Sequence, residues 1–449
     1  MKFELTNDFI NALSSQIEQQ DNAASLALID HCHPADIAEI LDHLDFDKSS
    51  RLFELLEDTT AADVLVELED DLREKLLKIH TPKEIAEEFV ENMDSDDAAD
   101  IISELPEVKK QEVLSHLENQ EHASDIVDLL NYDDNTAGGL MAKELIKVNK
   151  NWTVMRCVRE MRKQAEEVEF VYTIYVVDDN NELIGTLSLK KLLLTNAKNI
   201  ISEIMKTDII KVDASLSQEE VANTMNKYDL IVLPVVNENN QLIGRITGDD
   251  VMDIIKEEAE RDYQMASGIT DDIESNDSIW QITRARLPWL LIGMFGGILG
   301  AKVIGIFDIE SNFEMALFIP LIAAMGGNVG VQSAAIVVQS LASGTASLGN
   351  ISQQLIKELG VALVNGVICS SLILCSSYLL GYGIALSLTV SIALLSVIIF
   401  AALFGTFVPL TLNKYKIDPA LATGPFITTV SDVLGLFIYF LIGQLFLAL

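Results

Sequence analysis

The chain has 449 residues and a net charge of −37, from 68 acidic and 31 basic side chains, and 49% of its residues are apolar. That length accommodates two to four domains. So acidic a balance argues against nucleic acid as a partner and against electrostatic docking on anionic lipid, both of which need clustered Lys and Arg. The charge is also unevenly spread. Residues 287–449 carry six acids and four bases, which leaves −35 in residues 1–286, so an acidic, water-soluble front half precedes an apolar back half.

The first ten residues lack a basic stretch followed by an apolar run, so no signal peptide is expected. The four cysteines (Cys32, Cys157, Cys369, Cys375) have neither metal-ligand spacing nor the pattern of a disulfide framework. Residues 1–130 read as short amphipathic helices. A small motif recurs in them at uneven spacing: Ala35-Asp36-Ile37, Ala62-Asp63-Val64, Lys83-Glu84-Ile85, Ala99-Asp100-Ile101 and Ser124-Asp125-Ile126. An acid near each helix start would suit the helix dipole. The pattern fits a small helical solenoid, and an irregular helical bundle fits it nearly as well.

Residues 140–258 contain an internal repeat. Tyr175-Val-Val-Asp-Asp-Asn-Asn-Glu-Leu-Ile-Gly185 matches Pro234-Val-Val-Asn-Glu-Asn-Asn-Gln-Leu-Ile-Gly244, and upstream Ile146-Lys-Val148 matches Ile210-Lys-Val212. Val/Ile enrichment around Asn-rich turns predicts strand, turn, strand in each copy, within a β-α-β-β-α unit that occurs twice. The pattern resembles a tandem cystathionine-β-synthase (CBS) pair, a regulatory module that often binds adenine nucleotides. The second copy has Gly244-Arg-Ile-Thr247-Gly-Asp-Asp250, similar to the nucleotide motif of that family in which Thr and Asp hold the ribose. The first copy has Gly185-Thr-Leu-Ser188-Leu-Lys-Lys191 and lacks the Asp. The resemblance therefore implies at most one good ATP site, at Thr247 and Asp250. A purely structural pair is the alternative. Asp249 to Ala266 then reads as a charged amphipathic helix running toward the apolar half, with like charges dense enough to destabilise it unless cations or bases intervene.

Stretches of about 20 mostly apolar residues can cross a bilayer. Five qualify, near 285–306, 313–340, 355–380, 384–411 and 420–447. With the front half inside, the inner flanks hold Arg284, Arg286, Lys357, Lys414 and Lys416, and the outer flanks hold Lys302 beside Asp308, Glu310 and Glu314. This bias predicts a cytoplasmic N-terminus and an external C-terminus. The second stretch contains Pro320 and then Met325-Gly-Gly-Asn-Val-Gly-Val-Gln332, poor helix formers that suggest either a break lining a cavity or close packing through small residues. Asp432 is the only charge of the last stretch. A carboxylate there costs about 3 kcal/mol or more and so points to a pore, a cation or a partner charge.

The whole order resembles the MgtE magnesium channel/transporter family over essentially the full chain. The motifs that carry the resemblance are Tyr132-Asp-Asp-Asn-Thr-Ala-Gly-Gly-Leu-Met141, Pro320 with Gly327-Asn328-Val-Gly330-Val-Gln332-Ser333, and Asp418-Pro419-Ala420 followed by Ser431-Asp432-Val-Leu-Gly435. The resemblance implies a multidomain fold: an all-α helical solenoid N-domain, an α/β tandem CBS domain and a five-helix transmembrane bundle. The expected divisions are 1–135, CBS repeats at 136–199 and 200–250, a connecting helix at 251–283 and a pore domain at 284–449. It also implies a homodimer in the cell membrane with one cation path on the two-fold axis. Asp432 then matches the selectivity position, Asp418 the acid at the cytoplasmic mouth, and Asn328 a further polar group of the path. Regulatory Mg2+ would be held by Glu219, Asp229, Asp250, Glu258 and Asp262, with Asp97 and Asp100 of the run Asp96-Asp-Ala-Ala-Asp100 as N-domain contributors. Ser217 and Arg261 stand where relatives often carry acids, which would weaken the sensor or change its ion count.

Mg2+ is small, octahedral and reluctant to lose water, so a path for it should bind the hydrated ion. Two facing Asp432 carboxylates would do so through water. Cytosolic Mg2+ bridging the acidic faces would close the gate, and ATP is a further ligand through the CBS pair. A broader transporter of Co2+, Ni2+ or Mn2+ and a non-conducting CBS sensor are the alternatives. An enzyme is not expected: no nucleophile–base pair is evident, and all six histidines lie in the first 130 residues.

Overall fold

The computed structural model describes residues 5–165, 168, 170–270, 273, 277–307, 313–342, 351–422 and 424–447. Asp308 and Glu310, expected on the outer flank, lie outside the described residues. The chain divides into two units, Met1–Ile255 and Lys256–Leu449.

The first unit opens with short helices, each started by a local cap. Thr6, Asp21 and Asp45 accept backbone N–H bonds from the first turns of Asn7–Glu18, Asn22–Ile29 and Phe46–Phe53. Capping boxes with a proline inside the first turn start Pro34–Asp42 and Pro82–Glu84. The recurring acid-plus-apolar motif has a different physical basis from the one expected. Asp36 and Glu84 sit in first turns, but Asp63, Asp100 and Asp125 lie mid-helix in Asp58–Glu67, Ser95–Ser103 and Gln120–Leu129. The constant feature is the next residue. Ile37, Val64, Ile85, Ile101 and Ile126 are all at most 3% exposed. The repeat records burial in the core, and dipole compensation accounts for only two of its copies.

The second part of this unit contains two three-stranded sheets. In the first, β1 (Ile146–Asn149) runs parallel to β2 (Ile174–Val177), which pairs antiparallel with β3 (Leu183–Leu187). In the second, β4 (Val212–Asp213), β5 (Val232–Val236) and β6 (Leu242–Thr247) repeat that order. Helices Val154–Gln164 and Gln218–Tyr228 form the crossovers. The repeat extends to turn chemistry. Asp178 accepts from the N–H groups of Asn180 and Glu182, and Asn237 from those of Asn239 and Gln241. Asn181 and Asn240 take left-handed conformations at φ 65° and 62°. The turns also join the copies, because the Leu183 N–H donates to the Asn240 carbonyl at 3.0 Å and the Leu242 N–H to that of Asn181 at 3.1 Å. Residues 136–142, ahead of the first copy, bridge to the second at Thr136–Ser217 and Ala142–Arg245.

The second unit holds five helices long and apolar enough to cross a membrane: Ile279–Ile306, Phe313–Leu341, Ile351–Leu379, Ile384–Lys414 and Gly424–Leu447. The fourth is the most buried of them and packs on the second, third and fifth. Of the two readings of the second span, a break at Met325–Gln332 does not form; the chain turns earlier, at Leu317-Phe318, between Phe313–Ala316 and Ile319–Ala342. Ile319–Ala342 is one continuous helix, with Pro320 in its first turn, where no intrahelical N–H bond is lost. The glycines serve close packing instead. A β-carbon on Gly405 of the fourth span would collide with the Gly330 carbonyl, and one on Gly330 would stand 2.7 Å from Ile427 Cγ2 and 2.9 Å from Ser431 Oγ. Small residues let these backbones approach where no hydrophobic effect drives helices together.

A candidate ion path and a carboxylate junction

In the second unit, the fifth span begins at Gly424-Pro425 and reaches Asp432 about 12 Å further along its axis. Asp432 is half-buried and faces the second span, where a β-carbon on Gly327 would stand 3.3 Å from its Oδ1 and 3.1 Å from Thr428 Cγ2. Thr428 returns its hydroxyl to the Gly424 carbonyl at 2.9 Å. Gly296 of the first span packs on Thr429. These residues border a cavity of about 1180 Å3, lined among others by Arg286, Trp289, Thr428, Thr429 and Asp432. Asn328 is exposed on the second span and does not line this cavity, so within one chain the structure does not bring it to Asp432. Asp418 is half-buried ahead of the span and accepts from the Ala420 N–H at 2.8 Å, which caps the turn Pro419–Ala422.

The entrance to the fifth span is also a docking point. The helix Gly248–Ala266 ends in a turn where Gly268 has φ +83° and the Ile269 N–H reaches back to the Gln264 carbonyl at 3.0 Å. A glycine suits that left-handed position. Pro425 packs directly on Gly268, and the Ala266 carbonyl packs on Gly424. Glu258 and Asp262 lie one turn apart on this helix, and Glu258 pairs with Arg261 at 3.3 Å.

In the first unit, carboxylates converge from three places. Asp94 precedes helix Ser95–Ser103, Asp96 and Asp97 occupy its first turn, Glu144 precedes β1, and Asp250 lies in the first turn of Gly248–Ala266. Carboxylate oxygens of Asp94, Asp96 and Glu144 all lie within 4.8 Å of one another. Ser95 ties two of the segments together: its N–H and hydroxyl donate to Glu144 at 3.2 and 2.8 Å, and its oxygen accepts from the Lys143 N–H at 2.9 Å. Arg245 pairs with Asp94 at 3.4 Å and donates to the Glu144 carbonyl. One guanidinium does not balance these acids. Burial, then Asp250 and Asp94, push the Asp97 carboxyl up to about 7. Asp96 is raised well above its ordinary value by burial and then by Asp97, Asp250, Asp94 and Glu144. An all-oxygen donor set of this kind suits a hard divalent cation such as Mg2+ or Ca2+.

Of the residues singled out from sequence, the junction gathers Asp97 and Asp250, with Asp100 at its margin. Glu219 and Asp229 lie elsewhere, exposed at the start and the end of helix Gln218–Tyr228, with Asp229 in a left-handed cap at φ 51°. Sequence reasoning missed Asp94 and Glu144. Glu144 is 49 residues from Ser95 in sequence, and no local pattern marks the contact. The two nucleotide-motif residues engage each other: Thr247, 8% exposed, donates to Asp250 from its hydroxyl at 2.5 Å and its N–H at 3.1 Å.

Fold and site define a multi-pass membrane protein with a helical domain and a tandem CBS module ahead of five spans. The profile described as "Divalent cation transporter" matches residues 319–442, that described as "MgtE intracellular N domain" matches 32–135, and CBS domains match 137–196 and 201–257. The chain is 33% identical over 321 residues to the magnesium transporter MgtE of Bacillus subtilis (strain 168), covering 71% of each. To that of Thermus thermophilus it is 35% identical over 323 residues, covering 71% of this chain and 72% of the relative. A crystal structure of the cytosolic domain of the Mg2+ channel MgtE in complex with ATP matches with a TM-score of 0.51 and 32% identity, covering 55% of this chain and 99% of that one. The chain belongs to the MgtE family.

Proposed function

We propose that the protein carries Mg2+ into the cell across the cell membrane and that Mg2+ on the cytosolic side closes it. The observation that carries this reading is the placement of Asp432: the one carboxylate of an apolar span, set against the Gly327 backbone and beside a cavity. A second copy related by a two-fold axis would bring two such carboxylates together around a hydrated ion, with Asn328 of both copies and Asp418 along the approach. The N-terminus is cytoplasmic and the C-terminus external. Functionally the chain divides at 1–135, 136–199, 200–250, 251–283 and 284–449.

Closure uses the acids. Asp94, Asp96, Asp97, Glu144 and Asp250 form one Mg2+ site, Asp100 lies beside it, and Glu219, Asp229, Glu258 and Asp262 supply others. Asp250 lies in the first turn of the same helix whose far end meets Gly424-Pro425, so cation binding is transmitted along that helix to the span bearing Asp432. Moving a two-state gate from 1:99 to 99:1 takes about 5.5 kcal/mol of differential binding, a sum that several carboxylate sites can supply. ATP is a second ligand of the CBS pair, held at Thr247 and Asp250. The ATP-bound relative supports this, and the Thr247–Asp250 hydrogen bond must open for it to bind.

The test is influx into liposomes loaded with a divalent-sensitive dye, comparing Mg2+ with Co2+, Ni2+, Mn2+ and Ca2+, with and without Mg2+ on the cytosolic face. Selective Mg2+ influx that stops at millimolar cytosolic Mg2+ is expected. Equal influx of Co2+, Ni2+ and Mn2+ would make it a broad divalent transporter, and no influx of any ion a non-conducting sensor. ATP binding is checked by calorimetry on the unmutated protein and on Asp250→Ala; no heat from the unmutated protein removes the nucleotide.

A further inference from the structure

The second span presents glycines to two of its neighbours. Gly326 and Gly327 face the fourth and fifth spans, and Gly330 lies between Ile427 and Ser431 on one side and Ala401 and Gly405 on the other. Glycine contacts bring the backbones close and seat side chains of the neighbouring spans in their notches. A directional bond elsewhere on the helix adds to what fixes its rotation and height.

One turn beyond Gly330, Ser333 is 4% exposed and donates its hydroxyl to Glu358 Oε1 of the third span at 2.6 Å. Glu358 is half-buried in an apolar helix, and among the described residues no basic side chain forms an ion pair with it. The carboxylate lies in the second turn of the third span, beside Lys357 at its proposed inner flank, where its cost is well below that at the bilayer centre. Its bond to a buried hydroxyl on a neighbouring helix is short and charge-assisted, the kind that adds geometric specificity as well as energy. Buried polar groups that fix register are the best-attested use of such a cost.

We propose that Glu358 is a positioning residue for the ion path: acting through Ser333, it locks the rotation and register of the second span and thereby holds the Gly327 backbone against Asp432. This rests on the transport reading above. The bond needs an acceptor at position 358, and the negative charge strengthens it. A glutamine there still accepts from Ser333, through a weaker, uncharged bond, whereas alanine at either position releases the helix. A released helix loosens the spacing around Asp432, which lowers discrimination between hydrated ions of different size.

The experiment is a double-mutant cycle on the full chain in liposomes, reading Mg2+ influx and the ratio of Mg2+ to Ca2+ influx for Ser333→Ala, Glu358→Ala, the double alanine variant and Glu358→Gln. Each alanine variant is expected to lose that ratio by roughly three-fold, the scale of an interhelical hydrogen bond in a membrane. The double variant should be no worse than either single one, and Glu358→Gln should fall between the unmutated chain and Glu358→Ala. The proposal is overturned if the two alanine losses multiply, if Glu358→Gln is as impaired as Glu358→Ala, or if Ser333→Ala leaves the ratio unchanged. Should Glu358→Ala not reach the membrane, Ser333→Ala, a small change at a buried site, decides with Glu358→Gln. Absence of influx from the unmutated chain overturns the transport reading instead. A melting-temperature cycle on the same four variants then still reports whether Ser333 and Glu358 are coupled.

Discussion

Gly327 and Asp432 stand so close that a β-carbon on the glycine would lie 3.3 Å from a carboxylate oxygen of the aspartate. The backbone of one span and the charge of another therefore share one spot, and each can be perturbed separately. Asp432→Asn keeps the shape and removes the charge, so it should abolish rescue of a Mg2+-auxotrophic strain while the protein still reaches the membrane. Normal growth would end the pore role of Asp432. Gly327→Ala keeps the charge and crowds it, and should reduce influx several-fold with Asp432 intact; unchanged influx would mean that the second span gives way without moving the carboxylate.

The crossing of the second and fourth spans makes a prediction about stability. A methyl group on Gly405 points into the Gly330 carbonyl, which is backbone and cannot swing aside as a flexible side chain would. Overpacking of this sort costs typically about 1–3 kcal/mol. Gly405→Ala should therefore lower the melting temperature of the detergent-solubilised protein, whereas Gly297→Ala, where a β-carbon meets nothing within 4 Å, should not lower it. Equal melting for the two variants would contradict the close approach.

These contacts mark how far sequence reasoning reaches. The five spans, the doubled β-α-β-β-α unit and the lone Asp432 were legible because each is written in a local run of residues, with a period or a length that physics fixes. The course of the second span was not. Gly326, Gly327 and Gly330 have low helix propensity in water, but at membrane depth a break would leave backbone groups unbonded, so a continuous helix is the better solution. The acid motif of the helical domain was legible as a repeat but misleading as a cap, because the buried Ile or Val after each acid sets the register. The carboxylate junction was half legible. Asp97 and Asp250 stand in acidic runs, whereas Glu144 is recruited by Ser95 across 49 residues, a contact without a sequence signature.

If the junction holds Mg2+ as proposed, the first unit should respond to pH and to divalent cations together. Asp97 is raised from an ordinary 3.8 to about 7, and Asp96 also moves up. With a raised carboxyl the folded state binds more protons than the unfolded state between about pH 4 and 7, so this contribution to stability is present at low pH and is lost as pH rises through that window. In EDTA, unfolding of this unit, followed by limited proteolysis of the full chain, should become easier from pH 5 to pH 8. Millimolar Mg2+ should remove most of that slope, because the cation replaces the protons. Asp97→Asn should flatten the slope in EDTA and weaken protection by Mg2+. Protease resistance that ignores both pH and Mg2+ would sink the sensor role of these acids.

Arg261 provides the last test. Its guanidinium is 3.3 Å from Glu258, one turn away on the helix that docks at Gly424-Pro425; Arg261 is exposed and Glu258 partly so. An exposed pair of this kind adds only about 0.2–1 kcal/mol to stability, so fold retention is not its main consequence. Its electrostatic consequence is larger. The arginine already supplies Glu258 with a positive charge, and a Mg2+ ion must displace that charge to use the carboxylate. In the proposed gate, Arg261 would lower the affinity of this stretch for the closing ion and raise the Mg2+ level at which influx stops. Arg261→Glu removes the competitor and adds a ligand; Arg261→Ala only removes the competitor. The Mg2+ concentration for half-closure, read from influx against cytosolic Mg2+, should therefore fall in the order unmutated, Arg261→Ala, Arg261→Glu, with maximal influx retained. An unchanged half-closure concentration in Arg261→Glu would show that Glu258 and its neighbours take no part in the gate.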